Sequence, residues 1–168
     1  MTQPLIDIFE YNRWANRTLL EACREAPEAA LTTEVPGISG TVQSLWTHTI
    51  GGEQTFILRT QGRQHEGELH RCSPWPGFDE LARVAEETGR ALIELARGLA
   101  EDETADLPWQ GKVFRFPVHF FLTHAAEHGT EHRTEIKVAL NTLGFETPDL
   151  DGWSYAATKG YGAEVPPA

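Results

Sequence analysis

The chemistry-bearing residues that stand out are histidines. Four of the seven fall between positions 119 and 132, in the stretch HFFLTHAAEHGTEHRTEI. His124, His128 and His132 are spaced four apart. On a helix each such step rises about 6 Å and turns about 40° net, so the three project along one side. Neutral imidazole is a common ligand for divalent metals. An i, i+4 pair is the arrangement by which helical zinc proteases hold their ion. Position 129 is Gly, however, so the general-base glutamate of that protease motif is missing and the protease mechanism is not supported.

The surrounding apolar residues narrow this further. Phe121, Ala125, Ile136, Ala139 and Leu143 form a stripe with two gaps, and His128 and His132 fill them. Both rings are therefore expected to face a helical core, while His119, about half a turn away, faces elsewhere. Two adjacent buried imidazoles need a partner at each ring nitrogen and cannot both be charged at close range. A divalent cation meets both conditions; the alternative is a pair of hydrogen-bonded core or surface histidines. A third candidate, His48, lies at the edge of another stripe, one turn after Leu45 and one turn before Gly52. Gly51 and Gly52 inside a helix each cost about 1 kcal/mol relative to Ala. They imply either open volume beside a metal or a close helix–helix contact.

Four helical segments must position these residues. The first spans about 5–26, with the stripe Leu5, Ile8, Asn12, Ala15, Leu19, Ala22 and Cys23. The second spans about 41–60, with Val42, Leu45, Thr49, Gly52 and Phe56. The third spans about 78–100, with Phe78, Leu81, Ala85, Leu92, Leu95 and Leu99. The fourth spans about 117–143, with Pro117 at its start and Gly144 past its end. Residues 27–40 read as loop. The long polar segment 61–77 has room for a crossover. LPWQGKVFRFP, broken at Gln110-Gly111, predicts a small hairpin between the third and fourth helices. The aromatics Trp153, Tyr155 and Tyr161 predict that a tail, 144–168, packs on the bundle. The expected fold is all-α: one domain over 1–168, a four-helix bundle with a crossover connection.

Composition agrees with a globular cytoplasmic protein. Of 168 residues, 40% are hydrophobic and 23% charged, and no apolar run approaches the roughly 18 residues of a membrane span. The opening MTQPLIDIFEYNRWANR has no basic region of the signal-peptide kind. A net charge of −11 makes nucleic acid and anionic membranes poor partners. Cys23 and Cys72 form no CxxC pattern and are expected as reduced, unpaired thiols.

Three stretches resemble the DinB/YfiT-like superfamily of small metal-binding four-helix proteins: YNRWANRTLL at 11–20, LWTHTIGGEQTFILRTQG at 45–62 and HAAEHGTEHRTEI at 124–136. They are similar to that family's WAN, H-x-x-x-x-E and H-x-x-x-H-x-x-x-H-R-x-x-I motifs, in order and spacing. The resemblance implies a divalent metal, nickel or zinc first, held by His48, His128 and His132; iron, copper and manganese are further candidates for such a site. It places His124 at a position that is not usually a ligand. It also implies a homodimer, and relatives that are thiol-dependent transferases or isomerases. Glu127 replaces the family's usual asparagine and Thr134-Glu135 its Gly-Gln, which leaves the substrate open.

Three neutral imidazoles keep the ion's charge and an open position, the pattern of a catalytic site. The leading expectation is a metal-activated low-molecular-weight thiol attacking a small electrophilic substrate. A metal-dependent hydrolase using bound hydroxide, with Glu127, Glu131 or Glu135 as bases, is the second. A non-catalytic metal-binding stress-response dimer is the third. Glu53 points away from His48 and is expected as a solvated or structural carboxylate. Asn12 and Asn16 are expected in buried hydrogen bonds before a role in orienting a ligand ring. Arg133 is expected in a surface salt bridge before an anion contact. Trp14 and Trp46 are expected to pack. His65, His70 and Cys72 are expected as loop residues.

Overall fold

The computed structural model describes residues 3–64, 69 and 73–164. The elements run α1 (Gln3–Arg24), α2 (Glu28–Thr32), α3 (Val42–Thr60), α4 (Phe78–Gly98), β1 (Thr104–Trp109), β2 (Lys112–Pro117), α5 (Val118–Thr142) and α6 (Gly152–Lys159). The four long helices match the four expected segments within a few residues at their ends. The Thr41 side chain caps α3 by accepting from the Ser44 N–H.

Two details differ from the sequence expectations. The segment after Pro27 is not all loop: α2 forms there because Ala30 and Leu31 can be buried on one side of a short turn. In α1 the core residue is Phe9, and Ile8 is 45% exposed. Both positions fit a period of 3.6, and the stripe takes the larger ring.

α1 packs on α4 and α5, and α3 packs on the same two helices, so α1 and α3 stand diagonally opposite. Side-chain neighbours set the directions. Arg13 meets Glu86 and Arg24 meets Asp79, so α1 and α4 are antiparallel. Phe56 meets His124 while His48 meets His132, so α3 and α5 are antiparallel as well. Arg133 bonds both Asn12 and Asn16, and Asn12 also lies against Gly129, so α1 and α5 run together. It follows that α3 and α4 are parallel neighbours. A chain leaving α3 must return along about 28 Å of helix before starting α4. This is why residues 61–77 are so many, and it places the crossover there.

The core has two apolar halves. One gathers Leu19, Trp46, Leu81 and Ile136; the other gathers Phe9, Phe56, Leu92 and Phe121. Between them, Asn12, Asn16, Glu53, Thr88 and Arg133 form a buried polar layer. Cys23 lies in the first half and accepts a hydrogen bond from the Trp46 indole at 3.3 Å. Burial pushes its thiol up to about 11. Cys72 lies outside the described residues. A Cys72→Ser variant is therefore expected to show no reactive thiol at neutral pH until denaturant is added, as a colorimetric thiol assay would report.

β1 and β2 pair antiparallel, with Ala105 opposite Phe116 and Leu107 opposite Phe114. Gln110 and Gly111 both have positive φ, 48° and 74°, as a two-residue turn of the hairpin type requires. In the tail, α6 lays Tyr155 edge-on against Tyr11 at 5.5 Å. Trp153 and Tyr161 do not pack; both are exposed. Two residues on a helix differ by about 200°, so α6 can turn Tyr155 or Trp153 inward but not both. No helix among the described residues is long and apolar enough to cross a membrane.

Candidate metal centre

α3 and α5 carry the histidines, and their antiparallel seam brings His48, His128 and His132 together. One nitrogen from each lies within 4.8 Å of the others. The Nε2 atoms of His48 and His128 are 3.1 Å apart. A tetrahedral centre with metal–nitrogen bonds of about 2.0–2.1 Å sets its ligands about 3.3 Å apart, so this pair already has the spacing of two ligands. A shared proton can serve that pair alone, whereas a cation can serve all three rings. The residues therefore fit a divalent ion.

Each ring is placed by a local feature. His128 occupies the space that Gly52 leaves: a Cβ at position 52 would lie 2.5 Å from its Cε1. The expected open volume beside the glycine is thus filled by the ring itself. Burial, with His132, His48 and His124 nearby, pushes the His128 pKa down to about 3. The imidazole is neutral at physiological pH and needs no deprotonation to bind a metal. Its Nδ1 is buried with no hydrogen-bond partner among the described residues, so Nε2 makes the ring's polar contact.

His132 is placed from its other nitrogen. Nδ1 lies 2.6 Å from the Glu135 Oε2. An ionised carboxylate only accepts, so Nδ1 carries the proton and Nε2 presents its lone pair. Glu135 is itself held by the Ser39 hydroxyl, at 2.6 Å, and by the Ser39 backbone N–H, at 3.2 Å. Burial opposes its charge, but the Ser39 hydroxyl and the His132 N–H hold its carboxyl below the usual value. Among the candidate bases only Glu135 reaches the site. Glu127 and Glu131 are exposed. The i, i+3 spacing from His132 is the signal that could have marked Glu135 out as its partner. Its loss should weaken metal binding about 10–100-fold in Glu135→Ala, with partial recovery in Glu135→Gln, by chelator competition.

The polar layer lies beside this seam and corrects one expectation. Arg133 is no surface salt bridge: it is 3% exposed. Its Nη1 donates to Asn12 Oδ1 at 2.6 Å and Asn16 Oδ1 at 2.7 Å. The Nδ2 groups of the two asparagines donate in turn to Glu53 Oε1, at 2.7 and 2.9 Å. Thr88 donates its hydroxyl to the other carboxylate oxygen. Burial pushes the Glu53 carboxyl up, and the bonds from Thr88, Asn12 and Asn16 and the charge of Arg133 oppose it. Two asparagines thus relay between a buried cation and a buried anion and hold no ligand ring. Gly129 is part of this packing, since a Cβ there would lie 2.7 Å from Asn12 Oδ1.

His124 does not join the triad. Its ring lies tilted 4.5 Å from Phe56 and is 6.1 Å from His128. His119 is exposed, as expected. Trp46 is buried, and Trp14 packs against Tyr11 and Tyr155. His65, His70 and Cys72 lie outside the described residues.

Comparison with known proteins yields a family match and a relative. The profile of the DinB family matches residues 1–164. The chain is also similar to Protein DinB of Bacillus subtilis (strain 168), 22% identical over 160 residues that cover 90% of this chain and 92% of that protein.

Proposed function

Since the chain belongs to the DinB family, we propose that it is a metalloenzyme in which His48, His128 and His132 hold one nickel or zinc ion and a low-molecular-weight thiol is transferred to an electrophilic substrate. The observation that supports this most is the convergence of three imidazole nitrogens within 4.8 Å. Bound there, the ion would act as a Lewis acid that lowers the pKa of a thiol, so that a thiolate is available at neutral pH.

The protein's own residues do the rest. The three histidines are neutral donors and leave the ion's charge uncompensated, which favours an anionic sulfur. Glu135 holds the His132 proton on Nδ1 and so keeps Nε2 aimed at the centre. Gly52 admits the His128 ring. His48 is half-buried. In the transfer, the sulfur–carbon bond forms as the substrate's bond to its leaving group breaks, and the thiol proton goes to solvent. Hydrolysis is less well supported, because Glu135 is already committed to His132 and Ser39 and Glu127 and Glu131 are exposed.

The test is conjugation of monochlorobimane with bacillithiol, mycothiol or glutathione by metal-loaded protein. Metal-dependent conjugate formation with at least one thiol is expected. None with any of the three would refute the transfer reaction, and turnover of esters or amides without thiol would favour hydrolysis.

A further inference from the structure

The hairpin carries an aromatic face that the bundle does not cover. Cross-strand partners point to the same side of a sheet, so Leu107, Trp109, Phe114 and Phe116 share one face. That face starts in the core at Ala105, which is 5% exposed, and ends in the open at Phe114 and Trp109, 43% and 60% exposed. It forms one wall of a cleft of about 920 Å³, closed by the end of α3 and the start of α5. This is the size and lining of a small-molecule site. Arg59 lines the cleft, with its guanidinium 5.8 Å from the Phe56 ring and no carboxylate partner among the described residues. At the inner end is His124, one helical turn before His128.

We propose that this cleft binds an aromatic or similarly apolar small molecule that carries an anionic group, with its apolar body on the hairpin face and its charge at Arg59. As the substrate class of the adjacent histidine centre, this rests on the metalloenzyme reading; as a binding site, it does not. The concavity and the cation set among apolar rings favour a small anion with an aromatic body over a second copy of the chain.

The experiment uses the full chain, metal-free and metal-loaded, with 1-anilinonaphthalene-8-sulfonate as the anionic aromatic probe and N-phenyl-1-naphthylamine as its uncharged counterpart. Saturable binding of the anionic probe at one site is expected in both metal states. Arg59→Gln should weaken the anionic probe about tenfold, a loss near 1.4 kcal/mol, and change the uncharged probe little. Phe114→Ser should weaken both. Near-ultraviolet circular dichroism matching the parent protein confirms that the variants are folded. Equal binding of the anionic probe to the parent and to Arg59→Gln would overturn the proposal. So would a dimer that excludes the probe and dissociates on Phe114→Ser, which would make the face an interface between copies. Because probe binding is read without metal, failure of the cleft and failure of the metal centre are separate results.

Discussion

Arg133→Met is expected to lower folding stability by about 3–5 kcal/mol, the usual cost of removing one partner from a buried charge network. For a chain of this length that is a fall in Tm of roughly 10 °C or more. Glu53 is fully buried, and its carboxylate would lose the opposing charge that Arg133 supplies through Asn12 and Asn16. The two asparagine carbonyls would lose their donor as well. The effect should be strongly non-additive: Glu53→Gln alone is destabilising, and the double variant should lose less than the two singles summed, by about 1–3 kcal/mol. Urea unfolding of the metal-free protein measures the cycle. A loss below about 1 kcal/mol in Arg133→Met, or simple additivity, would show that the layer does not act as a unit.

Gly52→Ala separates the metal site from the fold. Alanine is the better helix former by about 1 kcal/mol, so the change should leave stability nearly unaltered once ring displacement is included. The added Cβ would sit 2.5 Å from the His128 Cε1, closer than the ring can tolerate, and the imidazole must swing away. A centre that keeps three histidines in sequence but has one displaced should bind nickel or zinc at least about 100-fold more weakly, the upper end of what disturbing a ligand's support costs. Calorimetric titration beside thermal unfolding reads both quantities. Unchanged affinity in Gly52→Ala would mean that the His128 rotamer is not the one that binds the ion.

The bundle and its histidines were legible for a physical reason. A helix that must bury a stripe shows its exceptions, and His128 and His132 stand in the stripe of α5 where apolar residues belong. His48 sits at a stripe edge, and there the resemblance to a family added what spacing could not. The polar layer was harder to read because charged residues belong on surfaces by default. Its trace was nevertheless present: Glu53 is four after Thr49 and three before Phe56, and Arg133 is three before Ile136, all on buried faces. A carboxylate and a guanidinium in two such stripes are each a candidate for the other. The choice of Phe9 over Ile8 was not legible, since both positions fit the period and only packing decides. Nor was the exposure of the hairpin's aromatic face, because alternation specifies a two-sided strand without saying what covers the apolar side.

The central claim is that three histidines from α3 and α5 hold one ion. Metal analysis of the purified protein beside His48→Ala and His128→Ala tests it most directly. The account predicts about one nickel or zinc per chain in the parent protein and near-complete loss in both variants, with circular dichroism showing the helices intact. Parent-like metal content in either variant would contradict it.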